Sequence, residues 1–281
     1  MAQSIFITSA EGHSGKSTVA LGVLDALSHA TPRVGVFRAI ARSTLERDYV
    51  LEMLLAHDGV DLDYDECIGV TYDDVRSDAE AALGAIVERF KAVEAQCDAV
   101  VVVGSDYTDV GSPAELAYNA RIAANLGAPV LLVLGGRSTQ DETQPELLGS
   151  SLPRTAAEMG QIADLALAEL AHGRAELFAV VANRADPDSA SDAIAAIERS
   201  LAASLGATHE KVPVWAIPED RYLVAPSIRG IMRSVNGALL AGDPDRLTRE
   251  ALGVVVAGMS MVNVLPRLLE GSVVVIPADR S

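Results

Sequence analysis

The sequence Gly12-His13-Ser14-Gly15-Lys16-Ser17-Thr18 decides the expected fold because of what lies on either side of it. It directly follows an apolar run, Ser4–Thr8, and it opens an amphipathic stretch, Lys16–Ser28, that predicts a helix. A glycine-rich loop between a strand and a helix can curl so that several backbone N–H groups point inward. The helix N-terminus adds partial positive charge. The pattern therefore predicts a P-loop that binds phosphate groups.

Within this loop each residue type suggests a role. The residues expected around the phosphates are Gly12, His13, Ser14, Gly15, Lys16, Ser17 and Thr18. Lys16 can bridge phosphate oxygens, and a hydroxyl of Ser17 or Thr18 can reach Mg²⁺. His13 is expected to face solvent. Ala10 replaces the glycine that usually lies five positions before Gly15, which predicts a looser wrap. An ordinary strand-to-helix turn with a surface lysine is the alternative.

Short apolar runs alternate with longer amphipathic stretches over the first three quarters of the chain. The predicted strands are Ser4–Thr8, Arg33–Ala39, Asp98–Gly104, Pro129–Leu134, Leu177–Ala182 and Val212–Ile217. Near-continuous apolar runs are typical of strands buried on both faces. The sequence therefore predicts an α/β fold with a doubly wound, mainly parallel sheet and P-loop NTPase-like topology over residues 1–217.

The pattern changes after residue 217. We expect a second, smaller α/β domain over residues 218–281, with a helix at Met261–Leu269 and a last strand at Val273–Ile276. Because this domain ends on a strand with no covering helix, it is expected to be truncated.

Three capping boxes predict helix starts, at Ser77–Glu80, Ser112–Glu115 and Thr155–Glu158. The acidic stretch Gly59–Asp78 and the polar stretch Arg137–Arg154 are expected to be surface loops.

Further candidate site residues follow the predicted strands. Asp106 or Asp109 could hold Mg²⁺ after the third strand, or could belong to an acidic turn. Asn183 could read an adenine edge, although a turn residue is the better interpretation. Arg38 could face the phosphates or pair with surface acids. The expected ligand is therefore a Mg²⁺-nucleotide or another anionic effector.

The composition of the chain disfavours several classes of binding partner. The chain has 281 residues and a formal net charge of -17, which opposes binding to nucleic acid and to anionic membranes. Its two cysteines, Cys67 and Cys97, are in no CxxC pair and are expected to be buried thiols. The N-terminus lacks the pattern of a signal peptide, and no apolar run approaches the length of a membrane span. A cytoplasmic location is expected.

Four segments occur in an order that resembles a known family. They are Thr8–Ser17, Val34–Ile40, Gly104–Asp109 and Ala182–Arg184, and similar segments continue in Ile217–Asp220, Ala225–Ser227, Val254–Ser260 and Pro277–Ser281. The series is similar to the N-terminal region of long bacterial phosphate acetyltransferases. That region comprises a P-loop domain, itself similar to dethiobiotin synthetase, followed by a DRTGG domain. The resemblance covers nearly the whole chain.

The resemblance implies a piece of an acyltransferase of acetate metabolism. The parent enzyme moves an acetyl group from acetyl-CoA to phosphate, giving acetyl phosphate and CoA, and its active site lies in a C-terminal catalytic domain. The resemblance implies regulation, ligand sensing or homo-oligomer assembly for this region, with no catalytic residue of its own.

Two departures from the synthetase pattern weaken the alternative of an active ATP-dependent ligase. Arg38-Ala39 stands where that family has a Lys-Pro pair, and Val103 stands where it commonly has a carboxylate. A structural module without ligand binding is the third hypothesis.

Overall fold

A computed structural model of the chain describes residues 2–43, 46–105, 115–138, 151–205 and 211–278. The chain divides into two compact units. The first comprises Met1–Arg137 and Arg154–Pro218, and the second comprises Ser138–Pro153 and Glu219–Ser281. Within the described ranges, no helix is both long and apolar enough to cross a membrane.

The described part of the first unit contains one sheet of seven parallel strands. In chain order they are β1 (Gln3–Ser9), β2 (Val34–Ala41), β3 (Ile68–Thr71), β4 (Ala99–Val103), β5 (Val130–Gly135), β6 (Leu177–Ala185) and β7 (Val214–Pro218). Their order across the sheet is β3-β2-β4-β1-β5-β6-β7, so the chain moves first to one side of β1 and then to the other. This confirms the predicted doubly wound α/β fold.

Helices cover both faces of this sheet. In chain order they are α1 (Lys16–Ala30), α2 (Tyr49–Leu55), α3 (Tyr72–Ser77), α4 (Ala79–Glu94), α5 (Glu115–Leu126), α6 (Ala156–His172) and α7 (Ala190–Leu205). Along β4, Val100 and Val102 belong to a core that contains residues of α4 to α7, whereas Val101 and Val103 belong to a core that contains residues of α1 and α2. The strand is therefore buried on both faces, as its run of valines predicts.

The prediction of a loop at Gly59–Asp78 was wrong for residues 68–77, where β3 and α3 lie. β3 has only four residues and lies at the edge of the sheet. Such a short run between acidic residues shows no clear period. α3 begins with a capping box in which Thr71 and Asp74 exchange hydrogen bonds. The seven-residue helix α2 was also missed.

The capping boxes have three different outcomes. Thr155 and Glu158 form the predicted box at the start of α6. For α4 the prediction was wrong by one residue: Ser77 ends α3, and Asp78 caps α4 by accepting from the N–H groups of Glu80 and Ala81. The box at 112–115 lies mainly outside the described residues.

The described part of the second unit contains a parallel pair of strands, β8 (Gly253–Val256) and β9 (Ser272–Val275). Its helices are short: α8 (Arg221–Val224), α9 (Ile228–Ser234) and α10 (Met261–Val264). The predicted helix Met261–Leu269 is shorter in the structure, because a 3-10 turn, Leu265–Arg267, follows α10 and contains a proline.

Candidate functional site

The predicted P-loop is the connection between β1 and α1. Gly15 is the N-cap residue of α1, with φ 78° and ψ 22°, and His13 is also left-handed, with φ 58°. A Cβ atom at position 15 would collide with the side-chain amide of Asn183. Glycine is therefore favoured at this position for two reasons, its backbone conformation and the close approach of a neighbour.

The backbone N–H groups of this loop are available to an external acceptor. The N–H groups of Thr18 and Val19 donate to the carbonyl oxygen of Gly15, at 3.1 and 3.2 Å, and so begin the helix. Among the hydrogen bonds between described residues, none has the backbone N–H of residues 12–15 or of residue 17 as its donor. Such N–H groups at a helix N-terminus, together with its partial positive charge, favour binding of an anion.

Asn183 holds this loop against the sheet. Its Nδ2 atom donates to the carbonyl oxygen of Ser14 at 2.8 Å, and the residue is buried on β6. Two predicted site residues that lie 169 positions apart in the sequence are thus in contact. The contact positions the loop, and the reading of an adenine edge by Asn183 stays a prediction.

Lys16 is buried, and its ammonium group reaches the end of β4. Its Nζ atom donates to the carbonyl oxygens of Gly104, at 3.1 Å, and Ser105. Ser105 is held in turn by Asn119, whose Nδ2 donates to its Oγ at 2.8 Å and whose Oδ1 accepts from its N–H at 3.2 Å. The loop lysine is therefore fixed at the carboxyl edge of the sheet, beside β1.

Arg38 brings a second cation to the same place. It lies on β2 with only 1% of its surface exposed, and its Nη1 atom donates to the carbonyl oxygen of Gly104, the same oxygen that Lys16 contacts. Its Nε atom donates to Oδ2 of Asp48 at 3.1 Å. Arg38 thus lies beside the loop lysine and pairs with a buried acid, so the alternative of pairing with surface acids was wrong. Its role at the phosphates stays a prediction.

An ion pair that sequence reasoning missed also joins the loop to the sheet. Arg154 donates from Nη2 to Oε2 of Glu11 at 2.9 Å and from Nη1 to Oε1 of the same carboxylate. Its Nη1 atom also donates to the carbonyl oxygen of Gly135, at the end of β5, at 2.8 Å. Because Glu11 and Arg154 are 143 positions apart, no local pattern could have indicated their contact.

A hydrogen bond between buried Glu115 and half-buried Tyr72 was also missed. Glu115, at the start of α5, is 8% exposed and accepts a hydrogen bond of 2.6 Å from the hydroxyl of Tyr72. The sequence had assigned Glu115 only a capping role. Only the structure shows that the carboxylate of Glu115 is buried and accepts this hydrogen bond.

For the remaining predicted site residues the structure gives at most their exposure to solvent. His13 is exposed, as expected, Thr18 is exposed, and Ser17 is half-buried. Asp106 lies outside the described residues, so its predicted role with Ser17 at Mg²⁺ stays a prediction. Within the described ranges, no group of three or more His, Cys, Asp or Glu residues is arranged to hold a metal ion.

The loop, its lysine and its bracing asparagine lie at the carboxyl ends of parallel strands around β1, where the strand order reverses. Ligands of open α/β sheets bind at such positions. These features define a P-loop-type α/β protein. Residues 3–226 match the AAA domain family, to which the chain therefore belongs, and residues 230–281 match the DRTGG domain family.

The chain is also similar to curated phosphate acetyltransferases. Over its whole length the chain is 28% identical to a phosphate acetyltransferase of Nitratidesulfovibrio vulgaris and 26% identical to one of Synechocystis sp.. It spans 38% of the length of each of these relatives. The predicted resemblance to the N-terminal region of phosphate acetyltransferases is thereby confirmed. Among solved structures, a complex of Cyanothece McdA with ATP aligns with 88% of this chain and 93% of its own, at 14% identity and a TM-score of 0.42.

Proposed function

We propose that the first unit binds the phosphate groups of a nucleotide or a similar anionic effector through residues 12–18. The observation that carries this proposal is the set of backbone N–H groups without acceptors among the described residues, next to the buried ammonium of Lys16. Mg²⁺ would be held by the hydroxyl of Ser17 and by Asp106, since both oxygen types suit this ion.

Calorimetric titration of the chain with ATP, ADP, NADH and acetyl-CoA, each with and without Mg²⁺, tests the proposal. We expect saturable heat with at least one of these ligands, and inorganic tripolyphosphate should compete with it, because the loop recognises phosphate oxygens. The absence of heat with all four ligands would leave only a structural role for the first unit.

The chain as a whole is proposed to be a regulatory and oligomer-forming region of a phosphate acetyltransferase. The curated relatives carry that name, and the chain spans 38% of their length. The proposed parent reaction converts acetyl-CoA and phosphate into acetyl phosphate and CoA, on a catalytic domain that would be the partner of this region. We propose residues 1–217 as the P-loop domain and residues 218–281 as the DRTGG-like domain.

An assay of CoA release from acetyl-CoA and phosphate tests the absence of acetyl transfer by these 281 residues. No turnover above the buffer control is expected. Turnover at the rate of a complete enzyme would contradict the proposal, and analytical ultracentrifugation of the same sample would test the proposed homo-oligomer.

An ATP-dependent ligase activity like that of dethiobiotin synthetase is the second candidate, because Lys16 and Ser17 are both present. Two observations weigh against it: Val103 is fully buried in the sheet, and Arg38 is paired with Asp48. ADP release that requires both Mg²⁺ and Lys16 would favour the ligase.

A further inference from the structure

The ion pair between Arg38 and Asp48 is unusually well shielded from solvent. Their side chains are 1% and 4% exposed, and Nε of Arg38 lies 3.1 Å from Oδ2 of Asp48. Shielding strengthens the interaction, because the water that screens surface pairs is excluded. The charge of Asp48 therefore acts on Arg38 with less screening than the charge of a solvent-exposed partner would.

The two carboxylate oxygens of Asp48 accept hydrogen bonds from different donors. Oδ1 accepts from the backbone N–H of Leu51 at 2.9 Å and caps α2, whereas Oδ2 accepts from Arg38. The backbone N–H of Asp48 donates to the hydroxyl of Tyr64 at 2.6 Å, which fixes the position of the residue. Capping requires only an oxygen atom, and Asn or Ser provides one equally well. The negative charge of Asp48 is therefore not explained by the helix cap.

That charge lies next to a cation of the proposed phosphate site. Nη1 of Arg38 and Nζ of Lys16 donate to one oxygen atom, the carbonyl oxygen of Gly104. An anion drawn to Lys16 therefore approaches Arg38 as well, and it experiences the sum of the charges on Arg38 and Asp48. With Asp48 in place, this sum is close to zero.

We propose that Asp48 is a positioning residue that sets the affinity of the site for anions by neutralising Arg38. This inference rests on the proposed function, since it requires an anion site at residues 12–18. Asp48 holds the guanidinium in place and limits its attraction for phosphate oxygens. The site consequently binds less tightly than two buried cations would allow.

Replacing the carboxylate while keeping the helix cap tests this role. We expect Asp48→Asn and Asp48→Ser to bind inorganic tripolyphosphate about tenfold more tightly than the wild-type chain, as expected for removing one nearby charge from a shielded site. A residue that served only the fold would produce equal or weaker binding when changed. Circular dichroism would verify that both variants are folded.

The route through Arg38 is tested by the double variant Arg38→Met/Asp48→Asn, which removes the pair without leaving a buried unpaired charge. Its affinity for tripolyphosphate should return to about the wild-type value or below it. Asp78→Asn is the matched control, because Asp78 also caps a helix, α4, but is exposed and screened by solvent. Its affinity should equal that of the wild type.

Three results would overturn the inference. They are equal or lower affinity in both folded Asp48 variants, a double variant that binds as tightly as Asp48→Asn, and a gain in Asp78→Asn as large as that in Asp48→Asn. Adding Lys16→Ala to Asp48→Asn separates the two proposals. If tripolyphosphate binds equally well to Asp48→Asn with and without Lys16, the proposed function fails. If Lys16→Ala weakens binding but Asp48→Asn binds no more tightly than the wild type, only the present inference fails.

Discussion

At the scale of single residues, a few side chains that are distant in sequence hold the loop after β1. Asn183 contacts the carbonyl of Ser14, and Arg154 contacts both Glu11 and the end of β5. Ala10, which replaces an expected glycine, is followed directly by the residue that Arg154 binds. We infer that these contacts fix the loop where the backbone pattern alone predicted a looser wrap.

Gly15→Ala is expected to destabilise the protein by about 2 kcal/mol or more, because a left-handed backbone and a collision with Asn183 add to each other. Gly127→Ala is the matched control: Gly127 has a similar φ of 66°, but no atom lies within 4 Å of its added Cβ. Its cost should be about 1 kcal/mol. Urea unfolding of both variants measures the difference, and equal costs would show that the approach of Asn183 has no effect.

Arg154→Lys is expected to cost about 1 kcal/mol of folding free energy, because lysine cannot make the two parallel contacts to Glu11. It should also weaken phosphate binding, since Glu11 is part of the loop. Arg121→Lys provides a control on an exposed pair with Glu80, where we expect less than about 0.5 kcal/mol. Chemical unfolding and titration with tripolyphosphate measure the two effects. A loss of stability without any loss of binding would limit Arg154 to a structural role.

At the scale of elements, how well the sequence predicts a strand or helix depends on its length and burial. The run of valines in β4 indicated a strand buried on both faces, and the structure places it inside the sheet, between β2 and β1. The edge strand β3 and the helix α2 were too short to show a period. Because α2 was missed, its cap Asp48 could not be connected with Arg38, although only ten positions separate them.

The contacts that complete the candidate site could not be predicted from the sequence, because they join residues that are far apart in the chain. The loop itself could be predicted, since strand, glycines, lysine and helix are adjacent in the chain. The partner of Glu11 is Arg154, which lies just before α6, and the partner of Ser14 lies on β6. Only tertiary folding brings these residues to the loop. Hydrogen bonds between distant segments leave no periodic signal in a single sequence.

The capping box of α6 predicts a specific dependence of stability on pH. Hydrogen bonds from the backbone N–H and then the hydroxyl of Thr155 hold the pKa of Glu158 below its ordinary value. A lowered pKa in the folded state stabilises the protein above the ordinary glutamate range, and this contribution is lost as pH falls through the lowered value. Glu158→Gln should therefore lower the free energy of unfolding at pH 7. The free energy of the variant should also fall less than that of the wild type as the pH becomes acidic. Identical pH profiles for wild type and variant would contradict the box.

At the scale of the whole molecule, the two cysteines report on the integrity of the first unit. Cys67 and Cys97 are free thiols and both are buried, as the sequence predicted. Burial raises the pKa of Cys67 to about 12, and burial also raises the pKa of Cys97. The reactive thiolate is therefore scarce at neutral pH.

Alkylation with iodoacetamide at pH 8 is expected to be slow in the folded protein and fast in urea, for both cysteines. Mass spectrometry after timed quenching gives the two rates. Because Cys67 and Cys97 belong to the cores on opposite faces of the sheet, they should become reactive together as urea is raised. Rapid labelling of Cys67 in native buffer would contradict the described packing.

The central claim is that the loop around Lys16 receives phosphate groups. Calorimetric titration with Mg²⁺-ATP of the wild type, Lys16→Ala and the control Lys91→Ala tests it most directly, since Lys91 is exposed and pairs with Glu94 at 2.7 Å. We expect Lys91→Ala to bind like the wild type and Lys16→Ala to bind at least about tenfold more weakly, as for the loss of a charge-assisted contact. Equal affinity of Lys16→Ala and the wild type would contradict the claim.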